Sequence, residues 1–116
     1  MAYQDNSTSY AFGQMGNVLM AGGNSDITSN EVTGMEKAVF VAITFLEDSV
    51  FESSNNNGIV AEDNALWLND TSASTGIDAT GAIVTDSVTF PAGVTIYGRW
   101  TKLDLVSGKA IAYIGY

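Results

Sequence analysis

The clearest hydrophobic pattern in the chain lies in residues 35–53, MEKAVFVAITFLEDSVFES. Apolar side chains alternate at Val39, Val41, Ile43 and Phe45, and most of the positions between them are also apolar. β-Branched and aromatic residues favour a strand over a helix, and apolar residues on both faces are typical of a strand that is covered on both sides. The pattern therefore predicts a central strand with these four residues on one face.

The end of the chain carries the second long pattern. A short apolar run ends at Pro91, because proline cannot donate to a β-ladder, and Gly93 can take the positive φ of the turn that follows. Neighbouring residues on a strand face opposite ways, so Arg99 and Trp100 do not form one site. We predict Trp100 in the core and Arg99 on the opposite face together with Tyr97.

The last residues predict a bulge and a return strand. The apolar phase changes after Trp100, which predicts a β-bulge near residues 101–102. Ser107 and Gly108 resemble a two-residue hairpin turn. In that register Leu105 would face Ala110, and residues 109–115 would form a strand inside the sheet.

The rest of the chain completes the expected fold. Residues 59–87 hold three short apolar runs between turn-rich segments, and twelve glycines and one proline punctuate the sequence. The runs are residues 59–60, 65–68 and 82–84. We predict an all-β single domain, an antiparallel β-sandwich or jelly-roll-like fold, over residues 35–116. Residues 1–34, rich in Asn, Ser, Thr and Gly, are predicted to form an extended N-terminal arm with short strands.

Composition narrows the chemistry. The 116 residues include no cysteine and no histidine, which removes thiolate chemistry, the usual general base and the commonest transition-metal ligand. The acidic pairs at 47–48 and 62–63 are adjacent in sequence and point to opposite faces of a strand, although acids from different strands could still form a glycosidase pair. Oxygen-bearing side chains at Glu62, Asp63, Asn64, Asn69, Asp70 and Asp78 match no EF-hand spacing. We expect no enzyme, no catalytic residue, no cofactor and no metal site.

Charge and hydropathy limit the partners. The net charge is −9, divided into −11 for residues 1–92 and +2 for residues 93–116. An acidic surface repels phosphate, so nucleic acid is not an expected partner. No apolar run approaches the roughly 20 residues of a membrane span, and the N-terminal residues lack the pattern of a signal peptide. We expect no membrane association.

Seven residues are candidates for contact with a partner. They are Tyr3, Tyr10, Phe12, Trp67, Tyr97, Arg99 and Lys102. The three aromatic residues of the arm would order it on a neighbouring subunit, the alternative being a floppy terminus. Trp67 fits either the core or an interface, and Arg99 is either an interface residue or an ordinary solvated arginine.

Two stretches resemble a known group of proteins. KAVFVAITFLEDSVFES resembles an "AI-x-x-L-x-D-x-x-F" segment of small β-rich structural proteins of tailed bacteriophages, of the marine and cyanophage type. TFPAGVTIYGRWTKLDLVSGKAIAYIGY resembles the end of the same proteins, and together the matches cover residues 36–53 and 88–116. The positions that carry the resemblance are Ala42, Ile43, Leu46, Asp48, Phe51, Pro91, Gly93, Ile96, Tyr97, Gly98, Arg99, Trp100, Gly108, Ala112 and Tyr113.

The resemblance implies a viral structural protein. The expected function is that of a capsid decoration (cement) protein, a homotrimer that is made in the host cytoplasm and binds the major capsid protein on the outer surface of the head. An alternative is a tail, collar or fibre-associated virion protein that binds host surface glycan. A glycan hydrolase built on a carboxylate pair is a third hypothesis.

Overall fold

The computed structural model describes residues 16–23, 26–29, 36–52, 58–63, 67–68, 85 and 88–116, and these ranges contain strands and turns but no α-helix. The strands are β1 (Asn17–Ala21), β2 (Ile27–Thr28), β3 (Val39–Phe45), β4 (Val50–Phe51), β5 (Ile59–Ala61), β6 (Thr95–Leu103), β7 (Leu105–Ser107) and β8 (Lys109–Gly115). They form a six-stranded main sheet in the order β1-β8-β3-β6-β2, with β5 also paired to β6, and a two-stranded sheet of β4 and β7. Every strand pair is antiparallel, which confirms the predicted all-β fold class.

The predicted central strand is confirmed, but its predicted face is wrong in the first half. β3 lies between β8 and β6, and residues 40–42 of β3 pair with only two residues of β8, so that the register shifts there. Because a bulge of this kind changes which side later residues face, Phe40 shares the core with Ile43 and Phe45. Val39 is buried outside that core cluster.

β6 follows the sequence prediction closely. Trp100 is fully buried in the core, and its indole Nε1 donates a hydrogen bond to the carbonyl oxygen of Leu68 at 3.0 Å. The pairing with β5 skips Thr101, since Val60 pairs with Lys102 and Ala61 with Trp100. The predicted bulge near residues 101–102 is therefore confirmed, and it allows both Trp100 and Leu103 to be buried.

The two stretches that carry the family resemblance contact each other. Gly93 has a φ of +88°, as predicted for the turn after Pro91, and its N–H donates to the carbonyl oxygen of Phe45 at 2.7 Å. Asp48 Oδ1 accepts a hydrogen bond from the N–H of Ala92 at 3.0 Å. The aspartate of one stretch therefore holds the turn of the other.

An aromatic cluster lies beneath that turn. Phe90 stacks on Phe45 with a centroid distance of 4.9 Å and meets Phe51 edge to face at 5.4 Å. The predicted strand before Pro91 is reduced to a single bridge between Phe90 and Ser49. The ring packing fixes Phe90 in place with very little ladder pairing.

The predicted hairpin at Ser107 and Gly108 is wrong, although the turn itself exists. Gly108 has a φ of +92°, but β7 pairs with β4 while β8 inserts between β1 and β3. A Cβ on Gly108 would collide with Ser49 Oγ, so the turn packs tightly against residues that precede β4. The chain thus crosses from the small sheet to the main sheet at Gly108, and Leu105 pairs with Phe51 instead of Ala110.

The other predicted segments have mixed outcomes. The run at residues 59–60 lies in β5, residues 67–68 are described but form no strand, and residues 82–84 lie outside the described residues. From the predicted arm, β1 pairs with β8 and β2 pairs with β6 in the main sheet. Residues 1–15 lie outside the described residues.

Candidate functional site on the outer face of the main sheet

The main sheet has a second face on the side away from the core. The strand register places two adjacent rows of residues there, each crossing β1, β8, β3 and β6. The first row is Leu19, Ile111, Thr44 and Thr95, and the second is Asn17, Tyr113, Ala42 and Tyr97. We call these eight residues the outer face, and none of them carries a charge.

The outer face exposes large apolar and aromatic surface. Leu19 is 68% exposed at one side of the sheet and Tyr97 is 64% exposed at the other. A shallow groove of about 230 Å³ lies on this face. It is lined by Tyr97 and Tyr113, and the buried Ala42 forms part of its floor. Exposed apolar side chains with adjacent aromatic residues are typical of surfaces that bind another molecule.

Thr44 and Thr95 stiffen this groove. Their hydroxyl groups form a hydrogen bond at 2.8 Å across β3 and β6. β-Branched residues have few rotamers, so a cross-strand threonine pair keeps the surface flat and ordered. The hydrogen bond therefore fixes two of the eight side chains of the outer face.

Arg99 extends this side of the sheet beyond Tyr97. Its Nε donates to Glu62 Oε1 at 2.6 Å and its Nη2 to Glu62 Oε2 at 3.2 Å, which is a bidentate pair. Its Nη1 donates to the carbonyl oxygen of Tyr116 at 2.8 Å, and the N–H of Glu62 donates to the carbonyl oxygen of Arg99 at 2.8 Å. The guanidinium group is consequently held along one edge by Glu62 and at Nη1 by Tyr116.

The pair shifts the titration of both groups. The hydrogen bond from Arg99 lowers the pKa of Glu62 from its ordinary value, and the same bond raises the pKa of Arg99. Both groups are therefore charged at neutral pH. Since the side chains are 33% and 42% exposed, solvent screening limits the pair to about 0–1 kcal/mol of folding free energy.

An open pocket of about 460 Å³ lies beside this pair, and we call it the end pocket. Its charged lining residues are Glu36, Lys37, Glu62 and Arg99. Ala38 and Val39 also line the pocket, and each is only 2% exposed. Ser29 also lines the pocket. Ser29 is 3% exposed, and its Oγ has no hydrogen-bond partner in the part of the chain that the structure describes.

The structure brings together two of the predicted interface residues. Tyr97 and Arg99 lie on the same side of β6, as predicted. Lys102 is partly buried and forms an ion pair with Asp26 at 3.1 Å. Trp67 is partly buried against the core cluster. The predicted arm residues Tyr3, Tyr10 and Phe12 lie outside the described residues.

The three basic residues of the segment 93–116 form ion pairs within the chain. Besides the pairs of Arg99 and Lys102, Lys109 forms an ion pair with Glu47 at 3.3 Å. Every base of residues 93–116 thus contacts an acid from the first 92 residues. Their positive charge is therefore balanced by acidic residues of the same chain.

The acidic residues considered for chemistry have structural contacts as well. Glu47 forms an ion pair with Lys109, and Glu62 forms one with Arg99. Asp48 accepts a hydrogen bond from the N–H of Ala92. Within the described ranges, no group of three or more acidic side chains is placed to hold a metal ion. Asn64, Asn69, Asp70 and Asp78 lie outside those ranges. No helix among the described residues is long and apolar enough to cross a membrane.

Sequence reasoning missed most of the end pocket. Ser29 and Lys37 carried no signal, and Glu62 was considered only as an acid or a calcium ligand. The partner of Arg99 is 37 residues away and directly follows β5, a strand that pairs with β6 in the described part of the chain. Such proximity becomes visible only once the strand order is known. No family model, curated protein or solved structure matches the chain.

Proposed function

We propose that the chain is a capsid decoration protein of a tailed bacteriophage. It binds the outer surface of the head as a homo-oligomer, with a trimer favoured, and its partner is the major capsid protein. The observation that carries the proposal is the uncharged outer face with Leu19 and Tyr97 exposed. The sequence resemblance to phage structural proteins supports the viral setting.

The outer face suits a protein partner on physical grounds. A chain with a net charge of −9 repels its own copies, so a patch without charge is where subunits of this kind can approach each other or a lattice. Burying exposed apolar side chains contributes about 25 cal/mol per Å². One such contact is weak, and repetition over a capsid lattice makes the sum large.

The proposed mechanism is mechanical and includes no catalytic step. Copies that bridge neighbouring capsid subunits add contact area that must be broken before the shell can expand. The acidic surface also keeps the protein from binding the packaged DNA.

Copy number per particle tests this proposal. Purified virions are digested, and peptides of this chain are quantified by mass spectrometry against peptides of the major capsid protein. A ratio near one, or a simple fraction of it, is the expected result. A ratio of a few per cent would place the chain in the tail, and absence from virions would contradict a virion role altogether.

A second candidate function is glycan binding by a tail, collar or fibre-associated virion protein. The end pocket favours it, because a fixed Arg99–Glu62 pair with an exposed Tyr97 nearby on the same strand provides polar groups and an aromatic ring. A low copy number together with retained binding to host-surface polysaccharide would support this candidate over head decoration.

A further inference from the structure

The end pocket is balanced in charge. Its two acids, Glu36 and Glu62, are matched by two bases, Lys37 and Arg99, in a chain whose overall charge is −9. An anion would meet two carboxylates there, and a cation would meet an ammonium and a guanidinium. The electrostatics therefore favour a neutral ligand that both donates and accepts hydrogen bonds.

Donors and acceptors are both present in the end pocket. Hydrogen bonds to Glu62 and Tyr116 engage three of the five N–H groups of Arg99, which leaves two that can donate to a ligand. The carboxylate oxygens of Glu62 have further acceptor capacity beside them. Ala38 and Val39 also line the pocket, but each is only 2% exposed. The combination of donors and acceptors is complementary to the hydroxyl groups of a sugar ring.

Ser29 is an independent observation that points to a ligand. A buried hydroxyl without a partner costs about 1–3 kcal/mol, so such groups are rare in folded proteins. The main chain of Ser29 is fixed, since its N–H donates to the carbonyl oxygen of Thr101 at 3.0 Å. Its Oγ nevertheless lacks a hydrogen bond from any described residue at the lining of the pocket.

From these observations we infer that the end pocket binds one neutral sugar unit. Ser29 Oγ and Arg99 donate to ring or hydroxyl oxygens, and Glu62 accepts from a hydroxyl group. The volume of about 460 Å³ falls within the usual range of roughly 300–1,000 Å³ for small-ligand sites. The biological setting of this inference rests on the second candidate function, glycan binding by a tail, collar or fibre-associated virion protein. Its chemistry rests on the residues of the end pocket alone.

Saturation-transfer NMR on the full chain tests the inference. The probes are the methyl glycosides of glucose, galactose, mannose and N-acetylglucosamine, with glucuronic acid and glucosamine as charged counterparts. We expect transfer to at least one neutral glycoside at millimolar concentration and weaker transfer to its charged counterpart. Preference for a charged sugar, or no transfer to any neutral one, would overturn the inference.

Two variants connect the signal to the pocket. Ser29→Ala removes one neutral hydrogen bond, so we expect binding to weaken roughly three- to tenfold, while the urea midpoint stays equal or rises because the hydroxyl has no partner among the described residues. Arg99→Lys removes the planar fork and should weaken binding at least as much. Ser107→Ala, at an exposed position of β7, is the matched control and should bind as the parent chain does.

The outcomes separate this inference from the head-decoration proposal. Unchanged sugar binding in Ser29→Ala and Arg99→Lys would overturn the assignment to the end pocket, whatever the copy number in virions. A copy number of a few per cent with intact, pocket-dependent sugar binding would contradict head decoration and leave the sugar site standing.

Discussion

The two faces of the main sheet are built from the same four strands but differ in how far their side chains are buried. On the core side Phe40, Ile43 and Trp100 are no more than 1% exposed, whereas Tyr97, three residues before Trp100, is 64% exposed on the other side. Alternation along a strand separates the two sets, and the bulges in β3 and β6 adjust which residues belong to each. We therefore expect substitutions on the outer face to alter the proposed contact with little loss of stability.

The largest effect is expected on the core side, at Trp100. Trp100→Ala leaves a cavity and removes the hydrogen bond to Leu68, so we expect a loss of about 3–5 kcal/mol in the free energy of unfolding. Urea denaturation followed by circular dichroism measures it. Tyr97→Ala is the matched control and should cost about 0.5 kcal/mol or less. Equal losses in the two variants would remove the distinction between the faces.

Gly98 tests the packing of the core side at a single position, because it lies against the indole of Trp100. A Cβ on Gly98 would lie 2.6 Å from Cζ2 of Trp100, so Gly98→Ala forces the indole to move. We expect a loss of about 1–3 kcal/mol in unfolding free energy. In a Trp100→Leu background the same substitution should cost much less, because the ring that it strikes is gone. An undiminished cost in that background would show that the indole is not the cause.

Asp104 gives a pH-dependent effect of moderate size. Burial raises its pKa, and the negative charges of Glu52 and Asp26 raise it further while Lys102 opposes them. The native state therefore binds its proton more readily than the unfolded state does. The ionised carboxylate lowers stability above the native pKa, and the deficit disappears as the pH falls below the ordinary value.

The variant Asp104→Asn tests this sign. We expect it to gain stability relative to the parent chain at pH 7, on the order of 0.5–1 kcal/mol, and the difference to shrink in acid. Urea midpoints measured across the acidic range provide the test. A difference that grows as the pH falls would contradict the assignment.

The smallest effect is expected at Glu62, on the outer side. Its pKa is lowered by Arg99, so its contribution to stability is present above the ordinary value and is lost as the pH falls through the native pKa. Glu62→Gln should cost less than about 1 kcal/mol at pH 7 and nothing in strong acid. Thermal unfolding of both chains at the two pH values checks this, and a cost that persists in acid would mean that the pair acts through packing.

The sequence predicted local structure better than long-range pairing. The positive φ at Gly93, the burial of Trp100 and the bulge near Thr101 follow from local rules about turns and alternation, and all three are observed. The pairing of β7 with β4 was missed, because a Ser-Gly turn is compatible with a hairpin and with a crossing between sheets. Packing of Ser49 against Gly108 decides between them.

The end pocket was also predicted only in part, because its residues come together through long-range strand pairing. The opposite orientations of Arg99 and Trp100 follow from strand geometry alone. The contact of Arg99 with Glu62 and the position of Ser29 depend on the order of strands around β6, which no local pattern encodes. Phe90 packs on Phe45, and Asp48 accepts a hydrogen bond from Ala92, so the two stretches are neighbours in the fold.

The most direct test of the outer face as the contact surface is the incorporation of a double variant, Leu19→Ser with Tyr97→Ser, into phage particles. Mass spectrometry measures its copy number against the parent chain, and urea denaturation checks that the fold is intact. We predict a nearly unchanged urea midpoint and a copy number reduced at least tenfold. A folded double variant that is incorporated at the parental copy number would contradict it.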